Sequence, residues 1–129
     1  MKKAYPIILL QRETFILVYV PDFEINTQGE TIVEAIEMAR DAIGVVGIDI
    51  EDDGESLPEP TIISEVKTNM ETDIVTLVDV DFSEYRRKND LRVVKKNCTI
   101  PSWLSVEAER AGINFSAILT AALKKELKI

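Results

Sequence analysis

The sequence predicts an α+β chain in two parts, a small sheet with one helix packed on it and then a strand–helix–helix module. Three observations predict it. β-branched runs flank one amphipathic helical pattern in the first 82 residues, the charge changes sign near residue 91, and beyond that point one alternating run leads into two short helical stripes.

Tyr5–Gln11 and Thr14–Val20 are rich in β-branched and aromatic residues and are expected to pair as a hairpin across Arg12-Glu13. Pro21-Asp22 ends the second strand, and Glu24–Thr27 reads as a short edge strand before a turn at Gln28-Gly29. Thr31-Ile32-Val33-Glu34 has the spacing of a capping box, with Thr31 as N-cap and Glu34 reaching back to its backbone. Ile32, Ala35, Ile36, Ala39 and Ile43 then share one helical face. Gly44 and Gly47 weaken any continuation, and Asp49–Pro60 reads as a polar loop. Residues 61–73 carry no pattern that assigns them. Ile74–Asp81 is a strand, apolar on both faces through Val78, which predicts a covered central position. Phe82–Asp90 is charged and reads as a linker, so the expected boundaries are a domain over 1–82, a linker over 83–91 and a module over 92–129.

In that module Arg92–Ile100 alternates. Val94, Lys96, Cys98 and Ile100 lie on one face and Lys95, Asn97 and Thr99 on the other. Pro101 stops the strand. Ser102 is the expected cap of a helix through Ala111 that buries Leu104, Ala108 and Ala111 and ends at Gly112. A second helix starts near Asn114. Phe115, Ile118, Leu119, Ala122, Leu123 and Leu127 form its stripe, and Lys124, Lys125 and Lys128 complement the dipole of its last turns.

The net charge of −8 is unevenly divided: residues 1–90 hold 8 Lys/Arg and 20 Asp/Glu, whereas residues 91–129 hold 7 and 3. An acidic body repels nucleic acid and attracts basic protein, and a basic tail does the reverse. The chain of 129 residues contains no histidine, which removes the commonest general base and transition-metal ligand, so any metal site would be all-carboxylate. No metal or other cofactor is expected. The single Cys98 precludes an intrachain disulfide and suits a reducing cytoplasm. Ile7–Leu10 is too short an apolar run to cross a bilayer, and Gln11, Arg12 and Glu13 interrupt what would be a signal peptide after Met1-Lys2-Lys3.

One strand and two short helices cannot bury the second helix's stripe alone, so a symmetric partner is expected, its strand paired into an antiparallel ribbon under interlocked helices. Val94, Cys98, Ile100, Ile118, Leu119 and Leu123 would form the core of that dimer. Such a ribbon fits the major groove, with Lys95, Asn97 and Thr99 facing the bases. The helix start at Asn114, Phe115 and Ser116 offers backbone N–H groups to a phosphate. A pure dimerisation role is the alternative.

This segment closely resembles the ribbon-helix-helix family in its order of strand, proline, helix, Gly112-Ile113-Asn114-Phe115-Ser116 turn and second helix. The body is similar to the HicB antitoxins. The match rests on Tyr5-Pro6, Tyr19-Val20-Pro21-Asp22-Phe23, Thr27-Gln28-Gly29-Glu30-Thr31 with Glu34-Ala35 and Ala39, Leu57-Pro58-Glu59-Pro60, and Glu84-Tyr85-Arg86-Arg87. It departs at Glu24-Ile25-Asn26, where the family usually has glycine or Pro-Gly. The resemblance implies a degraded RNase H-like body that binds a HicA-like toxin, a small basic ribonuclease acting on mRNA, and masks its active site. It also implies a C-terminal module that binds operator DNA and represses the operon, as a homodimer or a higher oligomer such as a tetramer. The residues of the toxin contact are not assigned. The competing reading is a free-standing repressor whose body senses a ligand or oligomerises.

An active enzyme of that fold carries an essential acid on its first central strand, and Tyr5-Pro6-Ile7-Ile8-Leu9-Leu10 has none. Asp22, Glu34, Asp79 and Asp81 read more simply as turn, cap and strand-edge residues, so no enzyme is expected. Cys98 reads as a core residue rather than a redox sensor, and Trp103 as packing near the dimer surface. Asp49–Glu55 lacks the form of a calcium loop, and Arg86-Arg87-Lys88 reads as a linker cluster or a phosphate-tracking one.

Overall fold

The first three strands form an antiparallel meander, as their β-branched content requires: β1 (Lys2–Gln11), β2 (Ile16–Val20) and β3 (Ile25–Gly29). The computed structural model describes residues 1–69 and 71–129, which fall into two units, Met1–Arg92 and Val93–Ile129. β3 runs through Gln28 and Gly29, where a turn was expected, because its register with Leu17 and Ile16 continues to that point. β4 (Ile74–Asp81) pairs antiparallel with β1, giving the order β3-β2-β1-β4. β4 is therefore an edge strand and not the central strand its apolar sequence predicted. Arg40 covers part of its open side, donating to the Asp79 carbonyl at 2.9 Å and pairing with the Asp79 carboxylate at 3.2 Å, which blunts the edge.

That same bond accounts for a proline in a central strand. The Asp79 carbonyl points away from β1, so the Leu77–Pro6 pair, two residues along, is also a non-hydrogen-bonded pair. Pro6 thus needs no N–H toward β4, and the β1–β2 ladder ends at Ile8, before reaching it.

α1 (Ile32–Asp52) covers one face of the sheet. Thr31 Oγ1 accepts from Glu34 N at 3.1 Å, which is half of the expected capping box; among the described residues the Glu34 carboxylate makes no return bond. Ala35, Ala39 and Ile43 are fully buried against Tyr5, Ile7, Leu9, Val18, Val20, Val78 and Val80. The helix continues through Gly44 and Gly47 to Asp52, nine residues past the expected end. Those glycines give room for a second helix. A Cβ on Gly44 would stand 2.6 Å from the Tyr85 ring, and one on Gly47 would clash with the edge of the Phe82 ring.

That second helix, α2 (Phe82–Asn89), replaces the expected linker over 83–91. Asp81 caps it, accepting from Glu84 N at 3.1 Å, and this bond is the main reason the Asp81 carboxyl is held below its ordinary range. Phe82 is buried, Tyr85 donates to Asp41 at 2.9 Å, and Arg86 pairs with Asp52 at 2.9 Å. A helix that is polar along most of its length is thus held by one apolar anchor and a row of bonds to α1.

Between α1 and β4 the chain is strapped to the body. Leu57 is buried, Tyr5 donates to the Pro58 carbonyl at 2.8 Å, and Lys3 pairs with Glu59 at 3.0 Å. Thr61 donates both its N–H and its hydroxyl to the Asp22 carboxylate, so the strand-end acid holds a segment 39 residues away.

Candidate nucleic-acid and protein interfaces

In the unit Val93–Ile129, two helices follow an extended segment. α3 (Ser102–Arg110) begins one residue earlier than expected: Pro101 occupies the cap position and its carbonyl accepts from Ser105 N at 3.1 Å. Ser102 is therefore the first helical residue, too late to cap, and correspondingly no side chain bonds the helix start. α3 ends one residue before the expected Ala111, which is its C-cap, and Gly112 follows with a φ of +68°, accessible to glycine at little cost. Gly112 N donates to the Glu109 carbonyl and Ile113 N to Ala108, both at 3.1 Å, closing the last turn.

Asn114 caps α4 (Phe115–Leu127), its Oδ1 accepting from Ala117 N at 3.0 Å. The N–H groups of Phe115 and Ser116 precede the first helical carbonyl partner and remain free to meet an external acceptor. Lys124 and Lys125 lie in the last turn. Residues 91–100 form no strand ladder among the described residues, in contrast to the expected Arg92–Ile100 strand; a ribbon needs a second strand, and one copy offers none. Lys95, Asn97 and Thr99 are exposed, but so are Val94, Cys98 and Ile100, so a single copy does not separate the two faces.

The exposure of the stripe is the main property of this unit. Neither α3 nor α4 contains a buried residue, and Leu104, expected to be buried, is 41% exposed. Ala108 is half-buried and Ala111 exposed. Ile118, Leu119, Leu123 and Leu127 lie open along α4, and Trp103 is 68% exposed. Exposed apolar surface of this extent marks a site of interaction.

The other unit has the opposite electrostatic character. Residues 1–92 hold 9 Lys/Arg against 20 Asp/Glu, a net −11, whereas residues 93–129 hold 6 against 3, a net +3. The carboxylates weighed for metal chemistry are held separately: Asp22 on Thr61, Asp79 on Arg40, Asp81 on the start of α2, and Glu34 in the first turn of α1. Among the described residues no three carboxylate or thiol groups stand close enough to hold a metal ion. Two tyrosines are pushed up to about 12, Tyr5 chiefly by burial and Tyr85 by burial and its bond to Asp41, so both act as neutral hydrogen-bond donors. Asp90 is drawn down to about 2 by its bonds from Arg92. Among the described residues no helix is long and apolar enough to cross a membrane.

Sequence reasoning missed the surface formed by α1 and α2. The signal was there in Gly44, Gly47, Phe82 and Tyr85, two glycines at i,i+3 and two aromatics at i,i+3, but each pair is meaningful only once the helices are known to cross.

A family model described as a HicB-like antitoxin of bacterial toxin–antitoxin systems matches residues 5–120. Among solved structures, a toxin–antitoxin complex from Streptococcus pneumoniae is similar at 28% identity and a TM-score of 0.63, covering 98% of this chain and 99% of that one. The antitoxin HicB of Burkholderia pseudomallei is similar in fold at 24% identity and a TM-score of 0.57, covering 97% and 96%. No curated protein sequence matches.

Proposed function

Because the chain belongs to the HicB-like antitoxins of bacterial toxin–antitoxin systems, we propose that it neutralises a HicA-like, mRNA-cleaving toxin by covering its active site and represses its own operon through residues 93–129. The observation that carries this reading is the division of the chain into an acidic unit with a complete core and a basic unit with none. The first is built to meet a basic protein, and the second needs a copy of itself. The likeness to the Streptococcus pneumoniae toxin–antitoxin complex supports a protein toxin as the partner. The body, a degraded RNase H-like fold in this reading, binds and does not catalyse, and the protein acts in the cytoplasm, where operator and mRNA are found.

In the dimer, segments 93–100 of two copies pair antiparallel. Val94, Cys98 and Ile100 turn toward Ile118, Leu119 and Leu123, and Lys95, Asn97 and Thr99 turn outward into the major groove. Asn114 fixes the start of α4 so that the N–H groups of Phe115 and Ser116 meet a backbone phosphate. Lys95→Ala or Asn97→Ala is expected to weaken operator binding by about 1–3 kcal/mol per lost base contact without unfolding the protein. Log K should also fall by about 0.9 per phosphate neutralised as log salt rises. Unchanged affinity in both variants would remove these residues from the reading face.

The deciding experiment co-expresses the chain with the adjacent small open reading frame. A stable complex whose small partner is toxic only when expressed alone supports the antitoxin reading. If nothing co-purifies, the body is instead a sensing or oligomerising domain on a repressor.

A further inference from the structure

We propose that the groove between the C-terminal half of α1 and α2 is the docking surface for a cationic segment of the toxin. This rests on the toxin-binding reading and names the surface that performs it. The groove is open, about 590 Å³, with Val45, Ile48, Leu91 and the ring of Tyr85 as its apolar lining and Asp49 and Asp52 on its rim. Val45 is 46% exposed and Leu91 84%, although both lie in the unit that has a complete core. Apolar side chains left open beside a finished core gain by burial against a partner.

The charge of the rim selects that partner. Arg86 and Arg92 are both committed, Arg86 to Glu51, Asp52 and Asp90, and Arg92 to Asp52 and Asp90. Among the described residues Asp49 has no ion-pair partner, so four carboxylates surround two guanidiniums and the rim is left with an excess of two negative charges. The same character continues up the helix. Glu34, Met38, Asp41, Val45, Asp49 and Asp52 recur at spacings of three and four, which places them on one solvent-facing stripe of α1. Met38 is 42% exposed and no Lys or Arg of α1 itself interrupts the stripe, since Arg40 is turned toward Asp79 on β4. A nucleic acid is repelled by such a surface. The groove also lacks converging donors to orient a small anion. An amphipathic protein segment with Lys or Arg beside an apolar side chain matches both the floor and the rim.

The test uses the full chain with Val45→Arg and Asp49→Arg together, both at exposed positions whose side chains take no part in the core. The partner is the product of the adjacent small open reading frame, purified as the complex and titrated after separation. The double variant is expected to raise the Kd at least a hundredfold while its circular dichroism and operator binding stay as in the parent. Glu13→Arg, in the exposed β1–β2 loop, is expected to leave the Kd within threefold. If the parent binds and the double variant binds within threefold of it, the docking surface is wrong and the antitoxin reading stands. If the parent does not bind, both fall. If the double variant instead changes the oligomeric state of the chain alone, the groove joins two copies and the toxin-docking proposal is overturned.

Discussion

Replacing Phe82 with alanine is expected to remove about 3–5 kcal/mol from the stability of the body, the cost typical of emptying a buried aromatic site. Phe82 is the only buried residue of α2, and its ring fills the space that Gly47 leaves open on α1. It also meets Tyr5 edge-on, with centroids 6.5 Å apart, and its N–H donates to the Met1 carbonyl at 3.0 Å. One ring thus joins α2, α1 and β1. A domain of ordinary stability, about 5–15 kcal/mol, loses a large part of it with this change. The distribution of fluorophores allows a clean measurement. All three tyrosines lie in residues 1–92 and the single tryptophan, Trp103, lies in residues 93–129. Urea unfolding should therefore show a large shift in the tyrosine-monitored transition and little in the Trp103 signal. Gly47→Ala attacks the same contact from the other side, adding a methyl group where the ring lies, at a cost of about 1–3 kcal/mol. A shift below about 1 kcal/mol in Phe82→Ala would mean that α2 is not anchored by its ring.

The elements whose signals are local were legible in the sequence. The β1–β2 hairpin, the Thr31 cap, β4 at Ile74–Asp81, the Gly112 stop and the Asn114 start all rest on residues within a few positions of one another. What was misread depends on partners far along the chain. Gly44 and Gly47 lower helix propensity by about 1 kcal/mol each, a sound reason to end α1 there. Packing of Phe82 and Tyr85, some 35–41 residues later, outweighs that cost and needs the small residues. Likewise Phe82–Asp90 reads as a linker because its charge dominates, yet the charges are the bonds that hold it to α1. β4 was placed at the centre because it is apolar on both faces, whereas it is an edge partly covered by Arg40.

The groove between α1 and α2 was illegible for the same reason, since it exists only when the two helices cross. The groove-reading set proposed above, Lys95, Asn97 and Thr99 with Asn114–Ser116, rests on a pattern of residue types in the sequence. In one copy of the chain those residues are exposed along with their apolar neighbours, and alternation acquires two distinct faces only in a paired ribbon. In the proposed dimer, the absence of a ladder over 91–100 and the absence of any buried residue in α3 and α4 have a single physical cause, a second strand and second pair of helices that one copy does not supply.

That cause sets the largest expected effect of all. Leu119→Glu should convert the protein to monomers and weaken operator binding at least about a hundredfold, or about 2.7 kcal/mol. Burying a leucine contributes about 1.5–3 kcal/mol, and two-fold symmetry counts each substitution twice. Leu119 is 39% exposed in one copy, between the more open Ile118 and Leu123, so it lies where a partner's helices would close over the stripe. A carboxylate there would be buried without a cation in reach, which adds to the loss. Toxin binding by the body should persist, because its core is complete within residues 1–92. Sedimentation and operator titration on the variant, beside capture of the neighbouring gene product, read the two roles separately. A variant that stays dimeric and binds operator within threefold of the parent would place the dimer core elsewhere than on α4. Loss of operator binding with toxin capture intact would mean that the two units carry separable functions, joined by the chain rather than by a shared core.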